Sequence, residues 1–230
     1  MTWIVTVVLA IAGTAGSDRE APVLTADGVI ARLIQHDESR QSTLNGYTSL
    51  RKYVLENQRH HKRAEMVVRV TCDKDGLKTF DPIDSTGWSS ARKHVFPRLL
   101  EGETEASRPA ARNDSRIGPN NYSFELIGTE WMSGRLTYVI AMKPKEAKKY
   151  LVQGTMWVDA EDFAMVQIEG KPAKSPSFWV KSTHFVHRYE KHGFFWFPAS
   201  DQSTSDARFF GNTDLTIEYF DYSEGARSLP

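Results

Sequence analysis

From Tyr122 to the C-terminus the chain runs through one strand pattern after another with no helical stretch between them. "NYSFELIGTEWMSGRLTYVIAMKPK" is a hairpin turning at Ser133-Gly134. Phe124 and Leu126 share one parity on its first arm, and Leu136, Tyr138, Ile140 and Met142 share one on its second. "GTMWVDAEDFAMVQIEG", Gly154 to Gly170, is a second hairpin, and the stretch after Ser177 supplies three long strands turning near His192-Gly193 and Gly211-Asn212. In the last of these Leu215, Ile217 and Tyr219 alternate with Asp214, Thr216 and Glu218. Consecutive hairpins without intervening helices imply an antiparallel meander and exclude a parallel βαβ architecture.

The N-terminal half differs. "TADGVIARLIQHDESRQSTLNG" predicts a helix capped by Thr25 or Asp27, with Val29, Ile30, Leu33 and Ile34 at helical spacing and Asn45-Gly46 as its stop. "YTSLRKYVLEN" and "AEMVVRVTCDKDGLKTF" then predict strands around the basic turn Asn57 to Arg63, with Asp75-Gly76 marking a tight hairpin. Met66, Val68 and Val70 alternate with Val67, Arg69 and Thr71. Ser85 to Glu105 has helical composition, with Pro97 either opening a second helix or kinking one, and Pro109 to Asn121 reads as a loop. The expected class is therefore mainly β (α+β). It is a curled antiparallel sheet of roughly ten or eleven strands, an unclosed half-barrel covered by one or two helices from the N-terminal half.

A length of 230 residues fits a single domain over 22–230. An apolar content of 40% is enough for a real core or a lined cavity. Net charge is zero, so nothing steers the molecule as a whole toward nucleic acid, and none is expected as a partner. Residues 1–21 read as a signal peptide: Trp3 to Ala12 is apolar, Gly13 to Ser17 is small, and charges begin at Asp18. No Lys or Arg precedes the apolar run, which is the one departure from that pattern. The single cysteine, Cys72, excludes an internal disulfide, and at the end of a strand it reads as a small buried hydrophobe.

A search for reactive groupings finds little. There is no phosphate-cradling glycine loop, nucleophile elbow, paired-cysteine or HExxH signature. His184 and His187 differ by three on one strand, so they face opposite sides of the sheet and cannot share a metal. The acidic "DAED" stretch, Asp159 to Asp162, raises the question of a catalytic or calcium site. Its place between two strands favours a turn, where short carboxylates cap exposed amides. No catalytic residue, metal or cofactor is expected.

The stretch from Tyr150 to Tyr222 resembles the LolA-like superfamily of bacterial outer-membrane lipoprotein-sorting proteins. The matching features are Gly154, Trp157-Val158-Asp159, Phe163, Glu169-Gly170, Trp196-Phe197-Pro198 and Ile217-Glu218-Tyr219. Arg51 to Phe80 looks like the group's first hairpin. The resemblance implies a half-barrel wrapped on helices around an apolar cavity that holds acyl chains in transit through the periplasm. It also implies an inner-membrane donor complex and an outer-membrane acceptor as partners of a monomeric carrier. The best-known carriers latch the closed lid with an arginine, and that role is carried over to no residue of this chain. Regulators that bind an envelope protein share the fold, so an interaction module is the alternative.

With one parity facing inward, the expected cavity wall is Met66, Val68, Val70, Phe124, Leu126, Leu136, Tyr138, Ile140 and Met142, joined by Leu215, Ile217 and Tyr219. The competing reading of each is an ordinary core residue packed against a helix. Trp157, Trp179 and Trp196 stand near strand ends, where they line the mouth or plug the barrel. A hydrolase built on His184 or His187 needs a nucleophile that no local motif supplies.

Overall fold

The structure, a computed structural model, describes residues 24–174, 180–207 and 211–225. The proposed signal peptide and Trp179 lie outside them. The helix α1, Ala26–Thr43, is capped by Thr25, whose Oγ1 accepts a hydrogen bond from the Gly28 amide at 3.2 Å. It stops before Gly46, which has φ +78°. Strands β1 (Tyr47–Asn57), β2 (Lys62–Cys72) and β3 (Lys78–Gly87) form the first meander. A π-helical turn over 91–95 leads into α2, Phe96–Ala106, with Pro97 in its first turn, where a missing N–H costs nothing. A third helix, α3, covers Pro109–Ser115. Seven strands follow: β4 (Tyr122–Met132), β5 (Arg135–Pro144), β6 (Val152–Asp159), β7 (Met165–Pro172), β8 (Val180–His192), β9 (Phe195–Ala207) and β10 (Gly211–Glu224).

Two sequence expectations need correction here. Pro109 to Ser115, expected as loop, is helical because Pro109 opens a helix at its first turn and Ala110, Ala111 and Arg112 propagate it. Ser85 to Gly87, expected in a helix, ends β3, and Gly87 turns the chain out of the sheet at φ +80°. Among the described residues the α-helices are therefore three, beside the π-helical turn, where one or two were expected.

The ten strands form one antiparallel sheet in the order β3-β2-β1-β10-β9-β8-β7-β6-β5-β4. Both meanders are sequential. They join only where β1 pairs β10, with Tyr53 opposite Ile217 and Leu55 opposite Leu215. Among the described residues β3 and β4 do not meet, so the sheet is an unclosed half-barrel. Gly154 and Gly170 face each other across β6 and β7. Their backbones approach so closely that a Cβ on Gly154 would lie 1.9 Å from the Glu169 carbonyl oxygen.

Burial alternates along β1 and β2. Tyr47, Arg51, Tyr53 and Leu55 face inward, as do Ala64, Met66, Val68 and Val70. The concave face carries two main clusters. Val29, Ile30 and Leu33 of α1 pack on Tyr122, Ile140, Met142, Met156, Val158 and Phe185. Phe96 of α2 packs on Tyr53, Met66, Val68, Val70 and Ile217. Each such burial stabilises by about 1.5–3 kcal/mol before ordering costs. A smaller aromatic cluster sits on the central strands, where Phe197 stacks on Tyr222 with ring centroids 4.5 Å apart and both pack around Tyr47.

A cleft beneath the first helix and its charged floor

The apolar anchor of α1 lies in its first half, Val29 to Leu33. The second half lies over open space. Ile34, Asp37, Arg40, Gln41 and Leu44 roof a cleft of about 460 Å³, a volume typical of small-molecule sites. Its floor is Tyr47, Tyr189 and the run Phe195, Trp196, Phe197 and Pro198 of β9, and its sides include Lys78, Ile117 and Met165. A second groove, of about 560 Å³, lies between α2 and the edge strand β3, bordered by Met66, Phe80, Pro97 and Leu100.

The roof is tied to the sheet by one buried side chain. Arg40 donates to the carbonyl oxygens of Asp162 at 3.1 Å and Phe163 at 3.3 Å. Those carbonyls belong to the acidic turn, and the turn is structural. Asp159 is 1% exposed and accepts two hydrogen bonds from Arg135, at 2.5 and 2.8 Å. Its Oδ1 also accepts from the backbone amides of Glu161 and Asp162. Burial raises its pKa, but the Arg135 bonds and the amides outweigh burial and hold it below the ordinary value of 3.8. Asp162 takes the Trp196 indole N–H at 3.0 Å and Lys191 at 2.7 Å. Asp159 and Asp162 are thus committed to holding the bend, Glu161 is exposed, and no group of three or more His, Cys, Asp or Glu among the described residues is placed to hold a metal.

Deeper in the concavity lies a charged network. Arg51 of β1 is 1% exposed and bonds Glu103 of α2 at 2.5 Å. The Tyr53 hydroxyl donates to the other Glu103 oxygen at 2.7 Å. The Arg51 guanidinium also lies over the Tyr219 ring, 4.7 Å from its centroid. Its Nε and Nη2 have no hydrogen-bond partner. Asp201 accepts from the Tyr219 hydroxyl at 2.5 Å and pairs with His187 at 2.5 Å. Burial, with Asp201 adding to it, pushes the Tyr219 phenol far up. Lys78 projects beside this network and is held below the ordinary lysine value, first by burial and then by Arg51.

The predicted wall residues fall in three groups. Met66, Val68, Val70, Ile140, Met142 and Ile217 are buried in the two clusters. Phe124, Leu126, Tyr138, Leu215 and Tyr219 are half-buried against them. Leu136 is 38% exposed, next to the hairpin tip at Arg135 and outside the cluster that α1 covers. Met66 borders the α2 groove; none of the twelve borders the cleft under α1. Trp196 lines that cleft, whereas Trp157 bonds Glu130 at 2.8 Å. His184 pairs with Glu169 and His187 with Asp201, on opposite sheet faces. No serine, threonine or cysteine hydrogen-bonds to His187 among the described residues, so the pair lacks a nucleophile.

Sequence reasoning missed Arg40, Arg51, Lys78, Glu103 and Asp201. Only Arg51 carried a signal, a permanent charge on the inward parity of a strand whose other inward positions include Tyr47, Tyr53 and Leu55.

No family model matches the chain, and no curated protein matches it. Among solved structures it is similar to a domain from Vibrio parahaemolyticus whose name assigns it to outer-membrane lipoprotein sorting. The identity is 14%, with 86% of this chain and 92% of that one covered at a TM-score of 0.49. A DUF1329 family protein from Desulfovibrio piger is 12% identical over 89% of this chain and 95% of that one, at a TM-score of 0.46. The LolA superfamily protein of Nitrosomonas europaea is 11% identical over 90% of this chain and 96% of its own, at a TM-score of 0.41.

Proposed function

We propose that the protein is a non-catalytic periplasmic carrier that shields the acyl chains of a lipid or lipoprotein in the cleft beneath α1 on the way to the outer membrane. The observation that carries this reading is the cleft itself. It is an aromatic-floored cavity of about 460 Å³ inside a half-barrel, roofed by the less firmly anchored half of a helix. Burying an acyl chain of about fifteen methylenes is worth roughly 12 kcal/mol at about 0.8 each, so such a chain crosses water only inside a host. Burial needs no catalytic group, which agrees with a His187–Asp201 pair that has no nucleophile beside it. The strand and aromatic pattern shared with lipoprotein-sorting proteins supports the periplasmic setting, as does the apolar N-terminal segment. On this reading a donor at the inner membrane loads the cleft and an acceptor at the outer membrane empties it.

A sensing or interaction module of the same fold is the second reading. It is favoured by Trp131, 71% exposed, and Ile127, 61% exposed, on the edge strand β4, which pairs with β5 on one side and with no other strand among the described residues.

The test is native mass spectrometry of protein exported to the periplasm, followed by solvent extraction and lipid analysis. The expected result is a bound acylated species that disappears in Met165→Glu, with circular dichroism unchanged. Protein that emerges free of lipid and also takes up no lipid probe would overturn the carrier reading and leave the interaction module.

A further inference from the structure

Four charged side chains border the cleft, and three are cations: Arg40, Lys78 and Arg116, against the one carboxylate of Asp37. Arg40 is occupied by two backbone carbonyls and Arg116 pairs with Glu38 on the outside. The Lys78 ammonium has no ion pair or hydrogen bond among the described residues. The carboxylates closest to it in effect, Glu103 and Asp201, are already taken. Glu103 holds Arg51 and Tyr53; Asp201 holds His187 and Tyr219. Behind Lys78 stands Arg51, fully buried, with two guanidinium nitrogens unpartnered. Two neighbouring cations in a poorly solvated place repel each other, and the depressed lysine value reflects this after burial. An anion is the species that relieves both the repulsion and the lost solvation.

Resting on the carrier reading above, we propose that the ligand is an amphiphile with an anionic head. Its acyl chain lies along Ile34, Ile117, Met165 and Phe197, and its carboxylate or phosphate bonds the Lys78 ammonium at the inner end of the cleft, in the field of Arg51. The cavity has room for one chain, so the favoured cargo is single-chained, and a triacyl anchor would not be enclosed. Selectivity follows from the head: a neutral head leaves the half-buried Lys78 ammonium without a partner and beside Arg51, which is the costlier arrangement.

The test is displacement of a fluorescent acyl probe by three ligands sharing one chain: oleate, oleoyl lysophosphatidate and monoolein. The anionic pair should bind about tenfold or more tighter than monoolein, as a charged hydrogen bond predicts. Whichever anion binds tighter identifies the head as carboxylate or phosphate. Lys78→Met should abolish that preference while leaving monoolein affinity within about twofold, and Lys78→Arg should retain it. Should Lys78→Met misfold, the wild-type ratio of oleate to monoolein still decides. Equal binding of all three overturns the anionic head and leaves the carrier reading standing. Binding of none overturns both.

Discussion

Removing the Glu103 carboxylate tests whether the network between β1 and α2 has the energetics that its burial implies. In Glu103→Ala the buried Arg51 loses its 2.5 Å partner, and its other two nitrogens have none to substitute. The Tyr53 hydroxyl loses its acceptor at the same stroke. Stranding one member of a buried pair costs about 3–5 kcal/mol, and orphaning a buried hydroxyl about 1–3. Glu103 itself is 24% exposed, so water reaches the vacated side and the low end of both applies, about 4 kcal/mol in total. Urea unfolding followed by tryptophan fluorescence measures this as a fall in midpoint at unchanged slope. Glu103→Gln keeps an acceptor for Tyr53 and should fall between wild type and Glu103→Ala. The double variant Arg51→Met with Glu103→Leu removes both charges and should recover to within about 1–3 kcal/mol of wild type, because apolar replacement of a whole buried pair is near neutral and only the Tyr53 hydroxyl remains without its acceptor. A cost below about 1 kcal/mol for Glu103→Ala, or a double variant no better than the single, would refute the reasoning.

Gly154→Ala places a Cβ 1.9 Å from the Glu169 carbonyl oxygen and should destabilise by about 1–3 kcal/mol, read by thermal unfolding; a neutral result would show that β6 and β7 separate easily. Arg40→Met removes both ties from α1 to the acidic turn and should cost about 2–3 kcal/mol. Its second signature is faster amide exchange in the C-terminal half of α1 and faster uptake of an acyl probe; unchanged exchange there would deny the tie. Asp159 has a folded pKa below its ordinary 3.8, so its stabilisation is complete above that value and is lost as pH falls through the lowered one. The stability gap between wild type and Asp159→Asn should therefore be constant above about pH 5 and narrow below pH 4, measured by urea midpoints across pH.

The hairpins were legible because pairing between adjacent strands is local: a turn residue pair such as Ser133-Gly134 and two arms of fixed parity define it. The joint between β1 and β10 was not, since it brings together Asn57 and Thr213, 156 positions apart, and no turn announces it. Parity also located the inward face correctly along β2 yet could not separate wall from cavity. Met66, Val68 and Phe197 all point inward, but Phe96 and the strands around it close over Val68, while Phe197, packed on one side by Tyr47 and Tyr222, borders the cleft on another. That difference depends on the line α1 takes across the sheet. The line is set by three side chains at its first two turns, Val29, Ile30 and Leu33, packing on strands far along the chain, as with Tyr122 and Ile140. Arg51 shows what sequence can add. A guanidinium on the inward parity between Tyr47 and Leu55 contradicts a purely apolar wall, because an unpaired buried charge is too costly to keep. The contradiction already required a partner from elsewhere in the chain and polar company nearby. Glu103 and Tyr53 supply these, and with Lys78 as a second cation beside them they replace an expected purely apolar trough with a charged network next to the cleft.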